Sequence, residues 1–481
     1  MSHSITFGTD GWRAIIAEQF TFANVERVAY ATGQYVKGHY YKGSARPPVL
    51  IGYDTRFLAD KFAERAAQVL MEMGIAVRVA SRDVPTPAIA WATQIEPTAG
   101  ALHLTASHNP PQYCGIKYIP DYAGPATVEI TNSIVSHLND LPEHYEAKPA
   151  SIETFDAKPA YFEAINKRID WKKIQSSGLK VACDTIYSTS RGYLDTLLED
   201  HQVPSKALHN WRDPLFGGGM PEPKPEYLRD LIKTITSEHF DLGLATDGDA
   251  DRFGIIDDKG TYYLPNQILC LLARHLFKNH GLKGAIVRTV ATTHLLDRLA
   301  QVYGLEAIET PVGFKYIGEI MRQKDVLIGG EESGGLSVKG HIPEKDGILA
   351  GLLVLEMMAY EKKPLAQIWQ DLLNEAGMQF FAKRIDLHLT PVTQRGLIDQ
   401  LKAKPFDKIG SFKVERVDRK DGLKFYIDSN TWTLVRASGT EPLVRLYFES
   451  TSEQTLDQMS AAFEKQAHDI IHSIDKQPAR A

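Results

Sequence analysis

The chain has 481 residues, enough for three or four domains of about 150 residues each. Hydrophobic residues make up 43% and charged residues 24%, which excludes a disordered, collagenous or coiled-coil protein. With 54 Lys+Arg against 60 Asp+Glu the net charge is -6, which argues against a general nucleic-acid binder but permits a local basic pocket for a small anion.

The N-terminal segment Met1-Ser-His-Ser-Ile-Thr-Phe-Gly8 has no basic region followed by an apolar one, so no signal peptide is expected. Residues 49–53 read as a buried strand. Residues 59–73 read as a helix, with Phe62, Ala66, Val69, Leu70 and Met73 at helical spacing and Gly74 as its terminator, and residues 75–79 as the next strand. The β-α-β pattern returns at 179–183, 191–199 and 205–208, and again at 284–288, 292–303 and 305–309. These units are too widely spaced for a solenoid and predict three related α/β domains. The longest apolar run, 347–355, falls far short of the roughly 18 residues of a membrane span. The C-terminal part differs. Strands at 431–436 and 443–449 flank a polar loop, and a helix from Ser452 carries Leu456, Met459, Phe463, Ala467, Ile470 and Ile474 along one face, predicting a smaller α+β domain. Boundaries are placed near residues 155, 260 and 375. Cys114, Cys183 and Cys270 are too few and too scattered for a disulfide framework or a cysteine metal site. A soluble, cytoplasmic protein that engages no membrane is expected.

Four loops carry candidate chemistry. In Thr246-Asp-Gly-Asp-Ala-Asp-Arg252, between two apolar runs, Asp247, Asp249 and Asp251 alternate, so their carboxylates can converge on a hard cation such as Mg²⁺ or Ca²⁺. An EF-hand is excluded, because counting from Asp247 puts Arg252 and Asp258 where Gly and Glu are needed. A solvated acidic turn is the alternative. Thr105-Ala-Ser-His-Asn-Pro110 exposes Ser107 as a candidate nucleophile beside His108, although Ser-His in a turn, taken alone, is more often a local side-chain-to-backbone hydrogen bond. Gly329-Gly-Glu-Glu-Ser-Gly-Gly335 offers carboxylates and a hydroxyl suited to sugar hydroxyls, and His341-Ile-Pro-Glu-Lys-Asp-Gly347 adds an imidazole and Lys345 near the same rim. Arg436-Ala-Ser-Gly-Thr-Glu-Pro442 has the parts of a phosphate cradle, with a surface turn as the alternative. All four sit at predicted strand ends, where open α/β sheets bind ligands.

Together with Phe7-Gly-Thr-Asp-Gly-Trp-Arg13, these motifs in this order resemble the α-D-phosphohexomutase family, which includes phosphoglucomutase and phosphomannomutase. The resemblance implies a four-domain, heart-shaped architecture. Three related α/β domains (1–155, 156–260, 261–375) would precede a C-terminal α+β domain (376–481) similar to the TATA-binding-protein fold. It implies a phosphorylated Ser107, one Mg²⁺ held by Asp247, Asp249, Asp251 and the phosphoserine, and phosphoryl exchange through glucose 1,6-bisphosphate. Arg13 and Arg252 would sit near the phosphoserine, with His108 and Lys117 assisting. Glu331, Ser333 and His341 would meet the sugar, and Arg436, Ser438, Gly439, Thr440 and Arg445 the non-reacting phosphate.

Many bacterial members place His directly after Glu-x-Ser-Gly, whereas this chain has Gly335. Its 341–347 segment resembles the animal-type phosphoglucomutases instead, which makes Lys345 the expected acid/base. Glu332 is similar to glucose-preferring members. The expected activity is therefore interconversion of glucose 1- and 6-phosphates by a monomer or homodimer. The alternatives are phosphomannomutase or dual-specificity activity, phosphoglucosamine mutase, glucose 1,6-bisphosphate synthase, or a non-catalytic sugar-phosphate binder.

Overall fold

The computed structural model describes residues 5–8, 10–142, 151–437 and 443–475. The chain forms two compact units, Met1–Ala285 with Gly313–Gln370, and Ile286–Val312 with Asp371–Ala481.

In the first unit a six-stranded sheet runs in the order Trp12–Ile15, Tyr113–Ile119, Ala101–Leu104, Val49–Tyr53, Val77–Ala80, Glu153–Phe155. The last four strands are parallel. The near-continuous apolar sequences of the central Ala101–Leu104 and Val49–Tyr53 reflect burial on both faces, whereas the edge strand Glu153–Phe155 is largely exposed. The helix Ala59–Glu72 crosses between two of them. Phe62, Ala66, Val69 and Leu70 are buried, and Gly74 at φ 76° ends the helix in the left-handed region, where a side chain would be strained. The strand Trp12–Ile15 was not anticipated. It pairs antiparallel with Tyr113–Ile119, anchored by Trp12 stacked on Phe20 with ring centroids 4.8 Å apart.

The second sheet runs Tyr262–Tyr263, Phe253–Asp257, Leu242–Thr246, Val181–Asp184, Ser205–Leu208. A hairpin, Val326–Gly330 with Leu336–Val338, follows later in the chain. The apolar run becomes the buried helix Gly347–Glu361, whose first turn is capped by the Asp346 carboxylate accepting from Leu349 N–H at 2.8 Å.

The second unit contains the parallel pair Ala285–Thr289 and Ala307–Thr310, with the helix Leu295–Tyr303 between them. That helix starts three residues later than its apolar pattern predicts. Thr289 and Thr292 share a hydroxyl hydrogen bond at 2.9 Å, and Thr292 N–H bonds the Thr289 carbonyl, so the segment turns before it can coil. The C-terminal sheet is antiparallel, in the order Phe381–His388, Leu443–Ser450, Trp432–Ala437, Leu423–Tyr426, Arg416–Asp418. Helices Pro391–Ala403 and Glu453–Asp475 cover one face through Leu397, Leu401, Met459 and Phe463 on Phe425, Val435 and Phe448. Alternation puts Trp432, Leu434 and Tyr447 on the other face, against Val290 and Ala291. The terminal helix therefore buries the apolar face read from its sequence. Among the described residues no helix is long and apolar enough to cross a membrane.

Candidate active site

Each chemistry-bearing loop of the first unit is the turn of an antiparallel pair. Residues 105–112 link Ala101–Leu104 to Tyr113–Ile119, residues 247–252 link Leu242–Thr246 to Phe253–Asp257, and residues 331–335 link Val326–Gly330 to Leu336–Val338. A chain that doubles back at a strand end presents its turn at the sheet rim.

Ser107 has φ 49°, a left-handed conformation rare for a side-chain-bearing residue. Its N–H donates to Thr105 Oγ1 at 2.9 Å, and its Oγ donates to Asp247 Oδ2 at 2.7 Å. The His108 ring is 3.4 Å from the same Oγ. Burial, then Arg252 and Arg13, hold that imidazole well below its usual pKa, which favours the neutral ring. Gly248 lets the two loops meet: a Cβ there would lie 2.5 Å from the Ser107 carbonyl oxygen.

The three aspartates are almost wholly buried. Asp247 Oδ1 accepts from the N–H groups of Asp251 and Arg252 at 3.0 and 3.1 Å. Asp249 Oδ2 accepts from Thr86 Oγ1 at 2.6 Å and Lys117 Nζ at 3.1 Å. Burial, then the neighbouring Asp249 and Asp251 charges, push the Asp247 carboxyl well above the usual carboxylate range. Lys345 Nζ lies 3.2 Å from Asp251 and 3.1 Å from Glu344. Asp10 reaches both ammonium groups, at 3.5 Å from Lys117 and 3.9 Å from Lys345. Burial alone would lower the Lys117 pKa, but Asp10, Asp249 and Asp251 together raise it. Arg13 donates to Asn109 Oδ1 at 2.8 Å, beside the Ser107 turn.

Among the described residues two groups bring three potential metal ligands within 4.8 Å of one another, the aspartates and His275–His280–Glu356. The second group closes its own hydrogen bonds. Both Nε2 atoms lie 2.9 and 3.0 Å from Glu356 Oε2, and Asn279 Nδ2 donates to His275 Nδ1, which places the proton of His275 on Nε2. The aspartates instead leave Asp249 Oδ1 and Asp251 Oδ1 buried with no hydrogen-bond partner. Buried carboxylate oxygens without donors suit a hard divalent cation.

Glu331 accepts from Gly313 N–H at 3.0 Å. Burial, then Glu332, raises its pKa to about 7 despite Lys345 and Arg252. Ser333 is half-buried on the same turn. A Cβ on Gly335 would lie 2.3 Å from Lys345 Cδ, so the lysine stem fills the space of a side chain at 335. The missing histidine and the present lysine are one steric fact.

His341 is corrected. Its side chain is fully buried, donates from Nε2 to Asp346 Oδ2 at 2.9 Å and stacks on Trp91 at 5.5 Å between ring centroids. Asp346 also accepts from Tyr161 Oη at 2.9 Å. The ring therefore braces the segment that delivers Lys345 and is not available to a sugar.

In the second unit Arg436 and Arg445 face each other across adjacent strands, and Arg436 Nε donates to Asp421 at 2.9 Å. Ser438, Gly439 and Thr440 lie outside the described residues. Sequence reasoning missed Asp10, Thr86 and Glu344. Asp10 lies inside the 7–13 motif and could have been found there, whereas Thr86 carries no local signal.

Models of the phosphoglucomutase/phosphomannomutase family match all along the chain: α/β/α domain I at residues 4–144, domain II at 159–260, domain III at 264–376 and the C-terminal domain at 397–466. A phosphoglucomutase/phosphomannomutase of Thermococcus kodakarensis is 31% identical, covering 93% of this chain and 95% of its own. A phosphoglucosamine mutase of Clostridium kluyveri is 28% identical, covering 98% of each. A solved Thermus thermophilus structure, described as a candidate phosphomannomutase, superposes with a TM-score of 0.86 at 34% identity, over 97% of this chain and all of that one.

Proposed function

Since the chain belongs to the phosphoglucomutase/phosphomannomutase family, an isomerase family of four-domain α/β enzymes, we propose that it interconverts glucose 1-phosphate and glucose 6-phosphate through a phosphorylated Ser107 and glucose 1,6-bisphosphate. The observation that carries this reading is Ser107 Oγ bonded to Asp247 beside two buried carboxylate oxygens that accept no hydrogen bond. Glucose is favoured over mannose and glucosamine by the Glu331-Glu332 pair and the Lys345 segment, which resemble glucose-preferring members.

In the proposed transfer the P–O bond to Ser107 Oγ breaks and a P–O bond to the sugar hydroxyl oxygen forms. The hydroxyl proton ends on Ser107 Oγ. Lys345 and Lys117 would relay it, and Arg13 and Arg252 would offset the charge of the migrating group. Asp247, Asp249 and Asp251 would hold Mg²⁺, which when bound neutralises developing phosphoryl charge. Glu331 and Ser333 would orient the sugar, and Arg436, Ser438, Gly439, Thr440 and Arg445 would hold the remote phosphate. Domain limits at 155, 260 and 375 and a cytoplasmic location are part of the same proposal.

The test is a coupled assay of glucose, mannose and glucosamine 1-phosphates, each with and without catalytic glucose 1,6-bisphosphate. Bisphosphate-dependent turnover fastest on glucose 1-phosphate is expected. Turnover confined to the glucosamine phosphate would overturn the sugar assignment, and turnover of none would overturn the mutase reading.

EDTA should abolish activity and Mg²⁺ should restore it. Thr86→Val removes the hydroxyl that orients Asp249 and should weaken Mg²⁺ binding about 10–100-fold, read by calorimetric titration. Undiminished Mg²⁺ affinity in this variant would show that Asp249 is not a ligand.

A further inference from the structure

Arg56 is fully buried, yet it lies far in sequence from every motif named above. Its Nε donates to Asp54 Oδ2 at 3.0 Å. Its two terminal nitrogens donate to three backbone carbonyls of the nucleophile turn, Pro110 at 2.8 Å and Ser107 and Asn109 at 2.7 Å each, and to that of Tyr113 at its exit, at 2.9 Å. Asp54 closes the circuit. Its Oδ1 accepts from Arg56 N–H at 3.0 Å, and its Oδ2 accepts from Thr105 Oγ1 at 2.7 Å, the hydroxyl oxygen that in turn accepts from Ser107 N–H. The Phe216 ring caps the guanidinium at 5.2 Å.

Of these carbonyls Pro110 also accepts from Tyr113 N–H at 3.0 Å, and the guanidinium supplies the inward-pointing turn with the further donors that buried carbonyls require. The five N–H donors of a planar guanidinium can serve four carbonyls and the Asp54 carboxylate together, whereas an ammonium of equal charge has only three. The carbonyl of Ser107 is among those held. Arg56 holds the peptide after Ser107 by its carbonyl, and Asp54 through Thr105 holds the peptide before it by its N–H, so the two together fix the left-handed conformation that aims Oγ at Asp247.

We propose that Arg56, locked by Asp54, is the positioning residue of the nucleophile turn, setting the direction of Ser107 Oγ without touching substrate. This rests on the mutase reading for its kinetic consequence, but its structural content is independent of it.

The experiment compares wild type, Arg56→Lys and Asp54→Asn. Hydrogen exchange should rise in residues 105–113 of both variants, with the terminal sheet unchanged. Phosphorylation of Ser107 by glucose 1,6-bisphosphate, followed by intact mass, and kcat should both fall on the order of 100-fold in Arg56→Lys. KM for glucose 1-phosphate should stay within about twofold, because no sugar-facing group is altered.

A kcat equal to wild type, or a loss that vanishes on cooling to where the variant is fully folded, would overturn the proposal. So would exchange that rises uniformly along the chain, since that reports general destabilisation. If wild type itself takes no phosphate from any hexose bisphosphate, the mutase reading fails, while selective exchange at 105–113 would still establish Arg56 as the brace of the turn.

Discussion

Ser107→Ala is expected to lose mutase turnover by on the order of 10⁴-fold or more, because the hydroxyl bonded to the Asp247 carboxylate is the one that would carry the phosphoryl group. Peptide mass analysis of the wild type should find its single phosphate on Ser107. The alanine variant should take none from glucose 1,6-bisphosphate. Its fold should be retained, since the turn is held through the Ser107 carbonyl and N–H, neither of which the substitution removes. Full turnover in this variant would end the phosphoserine mechanism, whatever the metal or sugar assignments.

The second large effect is expected from a change of one methyl group. Gly248→Ala places a Cβ 2.5 Å from the Ser107 carbonyl oxygen and 3.3 Å from Pro221 Cβ. The oxygen is backbone, held from behind by Arg56, so it cannot swing away. The Asp247–Asp251 turn must back off instead, yet Gly248 N–H is tied to the Pro221 carbonyl at 3.1 Å and its own carbonyl to Thr189 Oγ1 at 3.2 Å. A shift approaching 1 Å between donor oxygen and acceptor carboxylate should lower kcat about 100-fold. The Mg²⁺ concentration needed for half-activity should rise as well. Wild-type kcat in Gly248→Ala would show that the two turns need no such close approach.

The loops themselves were legible because small and charged residues interrupt apolar runs, and the runs proved to be strands. The 59–72 and 453–475 helices were legible from spacing alone. What sequence could not show is the set of partners brought from elsewhere. Thr86 meets Asp249 across 163 positions and Arg56 meets Ser107 across 51, and neither has any local pattern to announce it. Asp10 stood in a recognised motif, but its place between two lysines depends on the Trp12–Ile15 strand, too short to read from alternation. His341 was misplaced for the opposite reason. Closeness in sequence to Lys345 suggested a shared rim, but Asp346 and the face of Trp91 draw the imidazole inward.

The Lys345 stem lying where a Gly335 side chain would be has a historical consequence. A chain with histidine at 335 and one with lysine at 345 cannot be neighbours by a single replacement. Adding the histidine first overfills the space around Lys345 Cγ and Cδ, which a Cβ at 335 would approach to 2.8 and 2.3 Å. Removing the lysine first leaves a chain with neither group and with Asp10, Glu344 and Asp251 short of a counter-charge. Both orders pass through an impaired ancestor, so lineages holding one arrangement are expected to keep it, and the pair should be inherited as a unit.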